Sequence, residues 1–201
     1  MASRLRLIAV APGAAWSLLG GVLMIGSVLV WWLPAALLDW QPALAATEPW
    51  RAISAAFVHW SPLHLGANLL AAGVVTLYGR AARVPPAQAL AWLAAWPLTH
   101  LGLLLQPALA HYGGLSGVLH GGVAVTTLWL MVAQRGRART VGALVFVGLV
   151  VKLASEQPWG PPLRASAEWD IAVAPLAHAT GAIAGLACGA LALLWQHRAR
   201  P

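Results

Sequence analysis

The chain has 201 residues, 60% of them hydrophobic and 8% charged, with a formal net charge of +7. Soluble domains carry about 25% charged residues, so this composition excludes an ordinary soluble enzyme, and a disordered chain would need low hydrophobicity and high charge. A single cysteine, Cys188, excludes an intramolecular disulfide framework and a cysteine-rich zinc module. The basic residues lie between long apolar runs, where they read as loop anchors and not as a nucleic-acid surface, so no nucleic-acid partner is expected. The expected fold class is all-α, a polytopic membrane protein with the lipid bilayer as its solvent.

A spanning helix needs about 20 mainly apolar residues. In chain order, six stretches approximate this: 14–38, 63–82, 87–106, 115–134, 140–155 and 172–195. The first follows Arg4 and Arg6, as a signal peptide would, but its apolar run exceeds an h-region of about 7–15 residues and reads as a retained helix. The third contains Pro97, and the fifth is short. Prolines cluster where helices should stop, at Pro34, Pro62, Pro85, Pro86, Pro107, Pro158, Pro161 and Pro162. No internal repeat or soluble segment interrupts the pattern, so a single domain over 1–201 is expected.

Six alternating helices put Arg4, Arg6, Arg80, Arg83, Arg135, Arg137, Arg139, Arg198 and Arg200 on one face, nine of the twelve basic residues. All five acids, Asp39, Glu48, Glu156, Glu168 and Asp170, fall on the other. The positive-inside rule then puts both termini in the cytoplasm. The opposite loops, about 39–62 and 156–171, hold Trp40, Trp50, Trp60, Trp159 and Trp169, which are read as interfacial anchors.

Polar residues inside a bilayer are costly and usually face the bundle interior or a water-filled cavity. The second stretch begins with His59-Trp-Ser-Pro-Leu-His64-Leu-Gly-Ala-Asn68, where His64 and Asn68 share a helix face. The fourth begins with Gly113-Gly-Leu-Ser116-Gly117, with His120 one turn on. The sixth carries His178 followed by Gly181, Gly185 and Gly189. All three stretches start at the non-cytoplasmic surface. At 1.5 Å per residue His178 lies about 9 Å below the start of its helix, at a depth matching Ser116 and His64. A serine, a histidine and an amide donor at one depth point to a nucleophile, a general base and an oxyanion stabiliser. The pair Gly117 and Gly121, with Gly181 and Gly185, provides the small-residue spacing that lets two helices approach closely in lipid. That approach brings Ser116 toward His178. No carboxylate falls near either residue within a span, so the expectation is a pair without an acid. Position 118 is valine, so the string is not the Gly-x-Ser-x-Gly nucleophile elbow. His100 is expected to be hydrogen-bonded within the bundle, His120 to pack, and His111 has no assigned role.

These residues resemble the rhomboid family of intramembrane serine proteases over about 48–190. The resemblance rests on Trp50-Arg51, on His59, His64 and Asn68, on Gly114-Leu115-Ser116-Gly117, and on His178 with Gly181 and Gly185. It implies a six-helix bundle in which Ser116 is the nucleophile and His178 its base. His64, Asn68 and the Ser116 backbone amide would form the oxyanion hole, with Trp50-Arg51 shaping the first outer loop. Neither cofactor nor metal is implied. A narrower resemblance is to the rhombosortases, a bacterial branch of that family. It is carried by the compact form, by the string Gly114-Leu-Ser-Gly-Val-Leu-His-Gly121, and by Lys152-Leu-Ala-Ser-Glu156-Gln157. It implies substrates that are single-pass membrane proteins with a C-terminal tail: a Gly-Gly-type motif, a hydrophobic helix and a basic cluster. The tail would be cut at the outer face of the bacterial inner membrane.

Three other classes compete. A catalytically inactive relative acting as a membrane binding or quality-control module would usually have lost the serine or histidine, and both are present. A haem or metal protein using His59, His64, His120 and His178 lacks any His-Glu-x-x-His string. A transporter would carry paired broken helices in its two halves, and none recurs.

Overall fold

The computed structural model describes residues 11–198; Arg4, Arg6 and Arg200 of the charge argument lie outside them. Among the described residues seven α-helices follow one another: α1 Ala14–Val30, α2 Arg51–Ser54, α3 Pro62–Ala81, α4 Pro86–Leu101, α5 Ser116–Ala133, α6 Arg137–Glu156 and α7 Pro175–Arg198. Among the described residues there are no strands, only isolated bridges between Trp40 and Tyr112 and between Arg164 and Val173. The chain is an all-α polytopic membrane protein. By length and composition four segments are able to cross a bilayer: Pro86–Leu105, Ser116–Ala133, Arg137–Glu156 and Pro175–Arg198. α1 is apolar but only 17 residues long, and the apolar run of α3 is broken by His64, Asn68, Thr76 and Arg80.

Helix ends differ from the hydropathy reading for local reasons. The first apolar stretch, expected to 38, stops being helical at Val30. Pro34 has no N–H to donate and drives Leu33 out of the helical region, so the chain turns there. α6 starts at Arg137, earlier than hydropathy implied, because arginine and alanine are good helix formers whatever their polarity. α7 starts at Pro175, where a missing N–H costs nothing. α4 runs through Pro97 to Leu101 and tightens into a 3₁₀ turn at Gly102–Leu105; a buried helix in a bundle tolerates the one lost backbone bond.

α5 is the central helix, packed on α3, α4, α6 and α7. Trp16 and Trp92 stack at 4.3 Å between ring centroids in the main core, and both indoles are satisfied. Trp16 Nε1 donates to the Val75 carbonyl at 3.1 Å, and Trp92 Nε1 to the Val118 carbonyl at 2.9 Å. The outward faces carry Leu18, Leu70, Leu77, Leu144 and Leu191 in the open. Such a surface would be an aggregation hazard in water and is an ordinary lipid contact in a bilayer.

The segment between α1 and α3 is a folded loop. Trp40 and Tyr112 exchange backbone hydrogen bonds at 2.7 and 2.8 Å, and Gly114 N–H donates to the Ala55 carbonyl at 2.9 Å. This loop therefore braces the stretch that enters α5 at Ser116. Trp40, read from sequence as an interfacial anchor, is instead completely buried and stacks toward His100 at 6.5 Å. Trp50, Trp60, Trp159 and Trp169 do remain exposed.

Candidate active site

The site is built on the contact between α5 and α7. A Cβ on Gly117 would lie 2.7 Å from the Ala177 carbonyl oxygen, and one on Gly121 3.1 Å from that of Gly181. Reciprocally, Cβ atoms on Gly181 and Gly185 would collide with the carbonyls of Gly117 and Gly121. The two backbones touch along two turns in parallel, which only hydrogen at these Cα positions permits.

That contact puts the tops of the helices side by side. His178 Nε2 lies 2.9 Å from Ser116 Oγ, and His178 Nδ1 lies 2.7 Å from Glu156 Oε2. An ionised carboxylate only accepts, so the Nδ1 proton is donated to Glu156 and the neutral ring's Nε2 is left to accept the serine hydroxyl. His178 is buried, 5% exposed, while Ser116 is half-buried at the cavity wall. Glu156 Oε1 is paired with Lys152 Nζ. The expectation that no carboxylate lies near the pair is thus corrected: Glu156 reaches His178 from the end of α6, a neighbour in space and not within the helix of either partner. His120, expected only to pack, stacks on the His178 ring at 4.3 Å and 16° and donates from Nδ1 to the Ser116 carbonyl at 2.7 Å.

The facing wall comes from α3. Ser61 caps that helix, its Oγ accepting from His64 N–H at 3.0 Å, with Pro62 in the first turn. Trp60 N–H donates to His64 Nδ1 at 3.3 Å, which leaves the imidazole proton on Nε2. A Cβ on Gly114 would sit 2.7 Å from that Nε2, so the His64 ring lies directly against the chain entering α5. Gly114 has φ +128°, a region that a side chain resists, and glycine both adopts it and makes room for the ring. Asn68 Nδ2 donates one N–H to the His64 carbonyl at 3.0 Å, leaving the second free. α5 begins at Ser116 itself, so the N–H groups of its first turn have no partner within the helix, and the positive end of its dipole faces the site. Together His64, Asn68, Ser116, His120 and His178 line one cavity of about 580 Å³, whose other walls include Trp169 and further residues of the loop between α6 and α7.

The remaining sequence-selected residues support this geometry from a distance. Arg51 is buried and binds four acceptors: Glu48 Oε2, Asp39 Oδ1 at 3.1 Å, and the carbonyls of Ala36 and Asp39. It is the knot of the loop between α1 and α3, whereas its neighbour Trp50 is 54% exposed. His111, with its side chain exposed, adds a contact to Asp39 Oδ2 at 2.6 Å. His59 packs against His64, 4.8 Å between rings, and burial pushes its pKa down to about 4. His100 is buried with Nδ1 donating to the Ala52 carbonyl at 2.7 Å. Among the described residues no group of three or more His, Cys, Asp or Glu is arranged to hold a metal ion.

Sequence reasoning missed Glu156 as a member of the site. One signal was present: Lys152 and Glu156 stand four apart at a helix end where a carboxylate opposes the dipole. Residues 46–195, from before α2 to the last turns of α7, match the family model described as the Rhomboid domain. None of the curated proteins matches the chain.

Proposed function

The chain belongs to the rhomboid family, and from that premise we propose that it is an intramembrane serine endopeptidase in which Ser116 is the nucleophile and His178 the general base. Membership supports an intramembrane-protease type of function. The observation that carries the reading is the 2.9 Å contact of Ser116 Oγ with His178 Nε2, opening on a cavity that His64 and Asn68 also line. Ser116 Oγ attacks the scissile carbonyl of a substrate helix unwound near its outer end, where small residues weaken helix propensity. His178 takes the hydroxyl proton. The Asn68 amide, His64 Nε2–H and the Ser116 N–H stabilise the developing oxyanion, and the dipole of α5 adds to them. Water from the outer face then hydrolyses the acyl-enzyme.

The substrate class is proposed as that of the rhombosortase branch: exported single-pass proteins whose C-terminal tail holds a Gly-Gly-type motif, a hydrophobic helix and a basic cluster. The strings Gly114–Gly121 and Lys152–Gln157 support it. The location is the bacterial inner membrane with the site facing the periplasm. The test is a fusion carrying such a tail, reconstituted with wild-type, Ser116→Ala or His178→Ala protein and read by intact mass. A shortened product with wild type alone is expected, and it places the scissile bond. No cleavage by wild type, with Ser116 still labelled by a fluorophosphonate, refutes the substrate class and keeps the protease. Neither cleavage nor labelling moves the reading to an inactive binding or quality-control module.

A further inference from the structure

Glu156 ends α6, where a carboxylate opposes the negative end of the helix dipole. A residue that breaks a local rule so plainly is a place to look for function. Every polar group of Glu156 within reach of a neighbour is engaged. Oε1 pairs with Lys152 Nζ, one turn back on the same helix, and Oε2 is 2.7 Å from His178 Nδ1 on α7. Its backbone carbonyl accepts from Arg164 Nη1 at 2.8 Å, in the loop between the two helices. The ring it meets is buried and offers its other nitrogen to Ser116 Oγ. A carboxylate, an imidazole and a hydroxyl joined in sequence by two hydrogen bonds, at the wall of a cavity, is the geometry of a serine hydrolase triad and not of a surface ion pair.

We propose that Glu156 is the positioning residue of a Ser116–His178–Glu156 triad, with Lys152 holding its carboxylate charged and aimed; this rests on the serine protease reading. Glu156 accepts the Nδ1 proton and so fixes the tautomer in which Nε2 carries a lone pair toward Ser116. In the acylation step the Ser116 Oγ–H proton passes to Nε2 as Oγ bonds to the scissile carbon, and the carbonyl π pair becomes the oxyanion lone pair. Collapse re-forms the carbonyl and breaks the C–N bond. The proton on Nε2 then moves to the leaving nitrogen, and Glu156 keeps no proton throughout. While His178 carries two protons, the Glu156 anion offsets its charge across the 2.7 Å contact. Lys152, four residues earlier on α6, keeps the carboxylate from rotating away and balances it when His178 is neutral.

The experiment compares fluorophosphonate labelling rates at Ser116 in reconstituted wild type, Glu156→Gln, Glu156→Asp and Lys152→Met, with melting as the fold control. Glutamine turns an N–H toward Nδ1, which drives the ring proton to Nε2 and blocks the base. Labelling is expected to slow on the order of 10²–10⁴-fold in Glu156→Gln. In cleavage the loss falls on kcat, with KM for the tailed fusion unchanged. Glu156→Asp restores part of the rate, and Lys152→Met falls between wild type and Glu156→Gln. A merely structural role predicts a lowered melting temperature without this ordering. A folded Glu156→Gln that labels at the wild-type rate overturns the proposal while leaving the protease intact. Failure of wild type itself to label Ser116 overturns both. Should Glu156→Gln not fold, the other two variants decide: both folded and as fast as wild type refutes the triad, both slowed supports it.

Discussion

At the scale of single residues, the site separates groups by what each has left to give. Asn68 spends one amide N–H on the His64 carbonyl at 3.0 Å and keeps one for the cavity. Replacing it with alanine removes that donor and leaves the helix bond of little account. Loss of one oxyanion donor typically costs about 10²–10³ in rate. Asn68→Ala is therefore expected to lower kcat by that order, with fluorophosphonate labelling slowed and melting nearly unchanged; full activity would remove Asn68 from the oxyanion hole. Arg51 works differently, since it touches nothing in the cavity. It neutralises Asp39, whose side chain is fully buried, at 3.1 Å. Breaking a buried pair by deleting one partner costs about 3–5 kcal/mol, because the other charge stays buried. Arg51→Ala is expected to lower the melting temperature sharply. Arg51→Lys recovers only part of it, because an ammonium does not reproduce the guanidinium fork.

At the scale of elements, the distance between Ser116 and His178 is set by glycine. The α5–α7 contact has no room for a Cβ at Gly181, which would meet the Gly117 carbonyl, and the backbone has no flexible end with which to yield. Overpacking of this kind costs about 1–3 kcal/mol, and it also pushes His178 away from Ser116. Gly181→Ala is thus expected to lose activity out of proportion to its loss of stability, measured as labelling rate against melting temperature. Gly73, on α3, faces open space. Gly73→Ala is the control, expected to be neutral or to stabilise by about 0.5–1 kcal/mol through helix propensity. Equal effects of the two substitutions would mean that the close approach does not set the catalytic distance. The element α6 enters the site only by its last turns, contributing Lys152 and Glu156 while most of its length is exposed on the outside of the bundle.

At the scale of the whole molecule, charge and site share an axis. The alternating path gathers Arg80, Arg83, Arg135, Arg137 and Arg139 at one end of the bundle and Asp39, Glu48, Glu156 and Asp170 at the other, where the cavity opens. On the positive-inside rule the first end is expected to be the cytoplasmic one. In a Cys188→Ala background, a cysteine at Ser166 is expected to react with an impermeant maleimide added outside cells. One at Arg135 should react only after permeabilisation. The reverse pattern would invert the topology and place the cavity in the cytoplasm. The outer loop is fastened to the bundle by Ser61 Oγ donating to Asp170 Oδ1 at 2.8 Å, so the wall of the cavity depends on contacts between residues 109 positions apart.

What the amino-acid sequence determined alone was everything with a short period. Apolar runs mark the helices, and four-residue spacings put His64 with Asn68 and line up the glycines of α5 and α7. These signals are local because hydropathy, propensity and helical pitch act within a few turns. What the tertiary structure decided was every pairing across elements. Trp40 looks like any interfacial tryptophan in sequence and is buried because its strand-like bridge to Tyr112 folds the loop inward. Glu156 looks like the first residue of an outer loop and is the partner of His178, because α6 runs on to Glu156 before the chain turns toward α7. Neither is encoded by a spacing: both depend on where a loop returns, and that is fixed by close packing and the satisfaction of buried polar groups over the whole bundle.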